Sequence, residues 1–238
     1  MKKLISTIGN ISIPIVISVA GLLSVTLLAM SLQNGTIPLW SISRNKELNF
    51  TFTMQMMELC ISFLAVILMY FYNKENFKTF LNLKISFSNT SAKNNWKFLG
   101  PIVAVGFTLG TMSYMSVGVI SQNGQVNGSF YKLLPLVILF AATNAWSEEI
   151  LSRFVIVSGL YGKLSADAIC WTSSIIFGLG HFFGTPNAVF GVIASGALGW
   201  LLAKSVIETK GMGWALLIHF LQDVVIFGSG AMIMAGQH

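Results

Sequence analysis

The sequence predicts an all-α integral membrane protein, a polytopic bundle of about seven transmembrane helices. Of its 238 residues, 54% are hydrophobic and only 9% are charged, and the mean hydropathy is +0.74. Ordinary soluble domains carry about 25% charged residues. The composition therefore excludes a soluble globular enzyme. Most of the apolar residues fall into runs of roughly the 20 residues that a helix needs to cross a membrane.

Seven apolar runs are candidates for membrane spans, and polar or turn-forming residues separate them. They cover approximately residues 11–30, 50–72, 98–120, 133–157, 166–183, 188–206 and 212–235. Lys2 and Lys3 precede the first run, as basic residues do in a signal peptide. That run is long for a signal peptide and no small-x-small cleavage site follows it, so we expect an uncleaved anchor.

Basic residues are distributed unequally between the two sides of such a bundle. With seven spans, one side holds ten of them: Lys2, Lys3, Lys74, Lys78, Lys84, Lys93, Lys97, Lys163, Lys204 and Lys210. The other side holds Arg44, Lys46 and Lys132. Because lysine and arginine are enriched in cytoplasmic loops, we expect the N-terminus to be cytoplasmic. The small size and the lysine-rich loops of the chain favour a bacterial cell membrane. The basic excess is thus explained by topology and anionic lipids, and we expect no nucleic-acid partner.

Ionisable side chains inside the spans are the strongest functional signal. Each costs about 2.5–3.5 kcal/mol near the centre of a membrane helix, so its presence indicates function. They occur in the fourth, fifth and seventh runs, as Glu148, Glu149 and Arg153, then His181, then His219 and Asp223. Outside these runs Glu58 is the one acidic residue well inside a span. It fits either a buried polar contact or the edge of a cavity.

Helical spacing separates the roles of the two adjacent glutamates. Residues four apart share a face, whereas neighbours point about 100° apart. Glu149 therefore pairs with Arg153 in a structural ion pair. Glu148 faces elsewhere without a local cation and is the first candidate for a general acid or base.

Histidines supply the second half of the candidate site. His219 and Asp223 share a face of the seventh helix, where the carboxylate could orient the imidazole or share a ligand with it. His181 adds an imidazole from another helix. Two of the three histidines of the chain thus lie inside spans, as the candidate carboxylates do.

Three motifs resemble those of the CPBP (CAAX protease and bacteriocin-processing, Abi) family of intramembrane proteases. The family patterns are E-E-x-x-x-R, F-x-x-x-H and H-x-x-x-N or D. They correspond in order to Glu148-Glu149 with Arg153, Phe177 with His181, and His219 with Asp223. The resemblance covers about residues 133–235. It divides one integral membrane domain into N-terminal helices with a cytoplasmic loop, residues 1–132, and helices similar to the catalytic part of the family, residues 133–238.

The resemblance implies a peptide-bond hydrolase with its site inside the membrane. In this family Glu148 and His181 would activate a water molecule, and His219 and Asp223 would stabilise the oxyanion. The cofactor stays unknown. Family members are often labelled metalloproteases, so a zinc ion bound by Glu148, His181, His219 and Asp223 is one alternative. However, no H-E-x-x-H pattern is present, and a glutamate and a histidine can activate water without a metal.

Two positions depart from the family pattern. Phe154 follows Arg153 where glycine is common, so local packing can differ. Asp223 stands where prenyl-protein enzymes often have asparagine, and an ionised carboxylate would repel an oxyanion. Its carboxylate could instead orient His219 or bind a metal.

These features predict an intramembrane endopeptidase that acts on a small peptide or a lipidated protein, as in peptide maturation, quorum-sensing pheromone processing or bacteriocin self-immunity. Membrane lipids are its surroundings. Two alternatives stay open, a non-enzymatic membrane scaffold that retains the fold and a proton-coupled transporter. Rows of small residues, Gly106 with Gly110 and Gly191 with Ser195 and Gly199, fit packing within one bundle or the face of a homo-oligomer.

Overall fold

The computed structural model describes residues 2–86 and 95–237, and this part of the chain is helical without strands. Lys93 and His238 lie outside the described residues. The helices are α1 (Lys2–Gln33), α2 (Lys46–Tyr72), α3 (Lys74–Phe80), α4 (Trp96–Ser121), α5 (Gly128–Glu149), α6 (Val155–Leu160), α7 (Ala166–Gly180), α8 (Ala188–Thr209) and α9 (Gly213–Gly236). A π-helical turn (Ile150–Phe154) joins α5 to α6, and a 3₁₀ turn (His181–Phe183) follows α7.

The helical membrane bundle predicted from composition is confirmed. Among the described residues, six segments are long and apolar enough to cross a membrane, including the continuous helix Gly128–Leu160. The expectation of seven such helices is corrected at the fifth run. There α7 has 15 residues, about 22 Å at 1.5 Å per residue, which is shorter than a hydrocarbon core of about 30 Å.

A tight reversal explains why α7 is short. After the 3₁₀ turn the chain enters α8, which packs antiparallel against α7. Glycine at position 178 permits this approach, because a Cβ atom there would lie 2.6 Å from the carbonyl oxygen of Val192. The α7–α8 hairpin thus returns the chain to the end at which α7 begins.

Hydrogen bonds at the two ends of the bundle show how the helices alternate. At one end Trp96 Nε1 donates to Glu208 Oε2 at 2.7 Å, which joins the start of α4 to the end of α8. At the opposite end Asn127 Nδ2 donates to the carbonyl oxygen of Ala235 at 3.0 Å, beside the start of α5. Lys46 and Lys132 lie at this second end, and the described part of the larger basic group lies at the first. Which end is cytoplasmic stays a prediction.

The polar segment after α2 has defined structure in its described part, residues 73–86. It contains α3, which the sequence did not predict, and then crosses the start of α9. The backbone N–H of Met212 donates to Asn82 O at 2.7 Å, and Trp214 Nε1 donates to Ser86 O at 3.0 Å. A Cβ atom at Gly213 would lie 2.5 Å from Lys84 O, so this crossing requires a glycine. The segment therefore fixes the start of the helix that carries His219.

Candidate active site

A cavity of about 780 Å³ lies between α4, α5, α9 and the α7–α8 hairpin. Most of its wall is apolar. The carboxylate, imidazole and amide side chains in its lining belong to Asn144, Glu148, His181, His219, Gln222 and Asp223. All four residues expected to be catalytic thus border one cavity, although they come from three separate parts of the chain.

Glu148 lies at the centre of this polar lining. Its Oε2 atom is 3.4 Å from His219 Nε2 and 4.0 Å from His181 Nε2. The side chain is 27% exposed, and within the described part of the chain Oε2 has no hydrogen-bond partner. A carboxylate oxygen with this freedom can accept a proton from a molecule in the cavity.

Both imidazoles are oriented through their other nitrogen. His181 Nδ1 lies 3.0 Å from Phe177 O, one helical turn earlier. His219 Nδ1 lies 2.7 Å from Glu149 Oε1. Because each acceptor requires a hydrogen on Nδ1, each ring presents Nε2 to Glu148.

Glu149 and Arg153 form the buried ion pair that their spacing predicts. Arg153 Nη2 is 2.9 Å from Glu149 Oε1, and both side chains are fully buried. The guanidinium lies 3.7 Å from the centre of the Phe177 ring, whose centre is 4.4 Å from that of His181 and 5.7 Å from that of His219. Phe177 therefore packs against the guanidinium and both imidazoles, while Glu149 contacts His219 directly.

Asp223 lies on the same face of α9 as His219, as their four-residue spacing predicts. Its Oδ2 atom is 3.7 Å from His219 Nε2, whereas the orienting nitrogen Nδ1 is bound by Glu149. Glu149, rather than Asp223, therefore orients His219 through Nδ1. Asp223 shares with Glu148 the reactive side of the ring.

Polar residues that sequence analysis did not select support the site from behind. Asn144 Nδ2 donates to Asp223 Oδ2 at 3.2 Å, and Gln55 Nε2 donates to Asn144 Oδ1 at 3.1 Å. Glu58 is 6% exposed, accepts weakly from Gln55 at 3.4 Å and does not line the cavity. Asn144 could have been found, since it precedes Glu148 by four residues on the same helix face.

The two rows of small residues have different surroundings. A Cβ atom at Gly199 would lie 3.1 Å from Phe177 Cδ1, which is packing within the bundle. At Gly106 and Gly110 a Cβ atom would meet nothing within 4 Å, and both residues line the cavity. The α4 row thus forms an open wall of the candidate site.

The described residues do not fit a metal centre. No group of three or more His, Cys, Asp or Glu side chains among them is spaced to hold a metal ion. The chemistry proposed below therefore uses the side chains themselves.

A membrane bundle that brings a carboxylate and two imidazoles to one internal cavity has the groups of an intramembrane hydrolase. Residues 130–225 match the family model described as "Type II CAAX prenyl endopeptidase Rce1-like". The match confirms the resemblance drawn from the three motifs and includes every motif residue. It supports an intramembrane endopeptidase as the general activity. No curated protein and no solved structure matches the chain.

Proposed function

We propose that the protein hydrolyses a peptide bond of a small peptide or lipidated protein by means of a water molecule that Glu148 and His181 activate. One observation carries the proposal. Glu148 Oε2 lies 3.4 Å from His219 Nε2 and 4.0 Å from His181 Nε2, at the wall of a large, mainly apolar cavity. The first separation permits direct contact, and the second leaves a water molecule room to bridge the two groups.

The first chemical step is attack by this water. Glu148 accepts one proton from it while His181 Nε2 holds its second hydrogen, and the water oxygen bonds to the carbonyl carbon of the substrate. His181 is kept in the required orientation because its Nδ1–H is donated to Phe177 O at 3.0 Å. The product of this step is a tetrahedral intermediate with one negatively charged oxygen.

His219 is the donor for that oxyanion. Three carboxylates lie within 4 Å of its nitrogen atoms, at 2.7 Å for Glu149, 3.4 Å for Glu148 and 3.7 Å for Asp223. With a hydrogen on each nitrogen, the imidazole donates Nδ1–H to Glu149 and offers Nε2–H to the oxyanion. When the intermediate collapses, the C–N bond breaks and Glu148 returns its proton to the leaving amine. The products are a carboxylate and an amine.

The cavity wall supports a substrate with an apolar segment in the membrane. The cavity reaches the outer surface between α4 and α8, where Tyr114 and Phe190 stack with ring centres 5.9 Å apart. These two side chains are 44% and 60% exposed. The open wall at Gly106 and Gly110 leaves room for an apolar chain beside them. Peptide maturation, pheromone processing and bacteriocin self-immunity are the processes that we propose for such a substrate.

The position of the site along the bundle supports cleavage near one membrane surface. His219 is six residues into α9, so it lies about 9 Å from the start of that helix at 1.5 Å per residue. The start of α9 lies at the end that holds most of the basic residues. We propose that this end is cytoplasmic in a bacterial membrane and that the scissile bond is therefore cut near the cytoplasmic surface.

The test uses the purified full chain in liposomes with two quenched fluorescent peptides. One is prenylated and ends in a CAAX sequence, and the other is an unlipidated peptide with a hydrophobic segment. Glu148→Gln should lower kcat by about 10²–10⁴-fold, the usual contribution of general acid–base catalysis. Glu75→Gln is the matched control, because Glu75 lies in the first turn of α3, away from the cavity.

Two results would overturn the proposal. Wild-type protein that cleaves neither peptide would contradict the endopeptidase activity for both substrate classes. Folded Glu148→Gln and His181→Ala variants that retain wild-type kcat would also contradict it, and a non-enzymatic scaffold would then be the better account.

A further inference from the structure

We infer that Asn144 is a positioning residue, whose amide holds the Asp223 carboxylate away from the oxyanion-binding nitrogen of His219. The inference rests on the proposed endopeptidase activity and extends it to a residue outside the three motifs. Asn144 precedes Glu148 by one helical turn on α5, and Asp223 follows His219 by one turn on α9. Glu148 and His219 form one contact between α5 and α9. Asn144 and Asp223, which are 3.2 Å apart, form the next contact, one turn further along the same two helices.

The direction of the hydrogen bond between Asn144 and Asp223 is set from α2. Gln55 Nε2 lies 3.4 Å from Glu58 Oε2 and 3.1 Å from Asn144 Oδ1. The Gln55 amide thus presents its N–H groups to both Glu58 and Asn144. The hydroxyl of Thr143 donates to the other side, Gln55 Oε1, at 2.7 Å.

Because Gln55 presents N–H groups to Asn144, the Asn144 oxygen is the acceptor there. Its Nδ2 atom is then the one that faces Asp223, and Asn144 can only donate to that carboxylate. Gln55, Glu58, Thr143 and Asp223 are all at least nine-tenths buried. Hydrogen bonds in such surroundings are costly to leave unmade, so this chain of contacts holds one arrangement.

Holding Asp223 matters because its Oδ2 atom is only 3.7 Å from His219 Nε2. A carboxylate that rotated closer would accept the Nε2–H that the oxyanion needs and would repel the developing negative charge. The donated amide hydrogen keeps Oδ2 on the Asn144 side. Asn144 therefore acts through Asp223 on the transition state, and its loss should lower kcat and leave KM almost unchanged.

Four variants test the pair in the full chain, with whichever quenched peptide the wild-type protein cleaves. Asn144→Asp places two carboxylates 3.2 Å apart and displaces Asp223, and we expect kcat to fall by about 100-fold, as for a misplacement of about 1 Å. Asn144→Leu removes the donor without adding charge, and we expect kcat to fall by about 10-fold, the effect of one lost hydrogen bond. Asp223→Asn keeps a side-chain partner for Asn144 and supplies the single-variant kcat with which the exchange variant is compared.

The decisive variant exchanges the two side chains. In Asn144→Asp with Asp223→Asn, the amide and the carboxylate change places, and the N–H group of Gln55 still meets an oxygen. We expect kcat within about 10-fold of wild type, far above that of Asn144→Asp alone, since one donor and one acceptor again face each other. Purely structural damage at position 144 would not be repaired by a change on another helix.

Several results would overturn the inference. One is wild-type kcat in folded Asn144→Asp, and another is an exchange variant that folds but is no more active than Asn144→Asp. If Asn144→Asp does not fold, a wild-type kcat in folded Asn144→Leu would overturn the inference instead. If the wild type cleaves and Glu148→Gln does not, these failures concern Asn144 alone. If Glu148→Gln cleaves like the wild type, the proposed function fails first and the role of Asn144 fails with it.

Discussion

The ion pair between Glu149 and Arg153 should be needed for stability and for activity in separable ways. Both side chains are fully buried and 2.9 Å apart. Removing one member of such a pair leaves an uncompensated buried charge, which costs about 3–5 kcal/mol. We therefore expect Arg153→Met and Glu149→Gln each to lower the free energy of unfolding by that amount, or Tm by roughly 6–20 °C for a chain of this size.

The double variant distinguishes pairing from simple packing damage. With both charges removed, no unpaired ion remains, so the loss of stability should be at least about 2 kcal/mol smaller than the sum of the two single losses. Activity should not recover in parallel, because His219 Nδ1 has lost the carboxylate that lies 2.7 Å away. The double variant should therefore regain part of its stability but not its kcat, because Glu149 binds both Arg153 and the imidazole of His219.

Lys204→Met is the matched control for this measurement. Lys204 and Glu208 have the same spacing and lie 3.0 Å apart, but their side chains are 25% and 15% exposed. Because water reaches this pair, losing Lys204 should cost less than leaving a fully buried charge without its partner. Unfolding would be followed by intrinsic fluorescence in detergent and by SDS titration. Losses at Glu149 and Arg153 no larger than at Lys204, or a double variant that equals the sum, would refute the reasoning.

Three further predictions concern the cavity, the metal and the orientation. Gly110→Leu should fill the open wall of the cavity and abolish cleavage of the hydrophobic peptide at unchanged Tm. Gly118→Leu on the same helix should cleave normally, because Gly118 is equally uncrowded but lies outside the cavity. Equal activity of the two variants would contradict an open substrate wall. A strong zinc chelator should leave kcat unchanged in the purified protein, and loss of activity that added zinc restores would contradict a mechanism based on side chains alone. In a chain whose two native cysteines are replaced by alanine, an impermeant thiol reagent outside intact cells should label Lys132→Cys and not Lys78→Cys, and the reverse would invert the orientation.

The membrane bundle could be predicted because bilayer thickness imposes a length on every apolar run. Predicted and observed limits agree closely for most spans. The exceptions have local causes. The helix α3 (Lys74–Phe80) is a short amphipathic segment in a polar loop, where no run of apolar residues indicates a helix. The helix α7 (Ala166–Gly180) ends early because the chain reverses within the bundle, and such a reversal depends on contacts with α8.

The candidate site was predictable where spacing along one helix determines a contact. Four-residue spacing predicts the pair of Glu149 and Arg153, and the cost of intramembrane charge selects Glu148 and His219. The contact between Glu149 and His219 joins residues 70 positions apart, so no local pattern contains it. Sequence reasoning could offer only Asp223, the carboxylate nearest to His219 in sequence, as a group that orients His219 or shares a ligand with it.

The mainly apolar cavity was also beyond local reasoning. Glycines at helical spacing predict close packing of helices, and that is what Gly199 does. Gly106 and Gly110 have the same spacing but face open space, because α4 packs against α9 and makes little contact with α8. Which helix face is left uncovered depends on the whole bundle.

The central claim is that Glu148 activates the water that cuts the peptide bond. The most direct measurement is mass spectrometry of the peptide products formed in H₂¹⁸O by the wild type and by Glu148→Gln. We predict one ¹⁸O atom in the new C-terminal carboxylate of the wild-type product and almost no product from the variant. A folded Glu148→Gln protein that forms the labelled product at the wild-type rate would contradict the account.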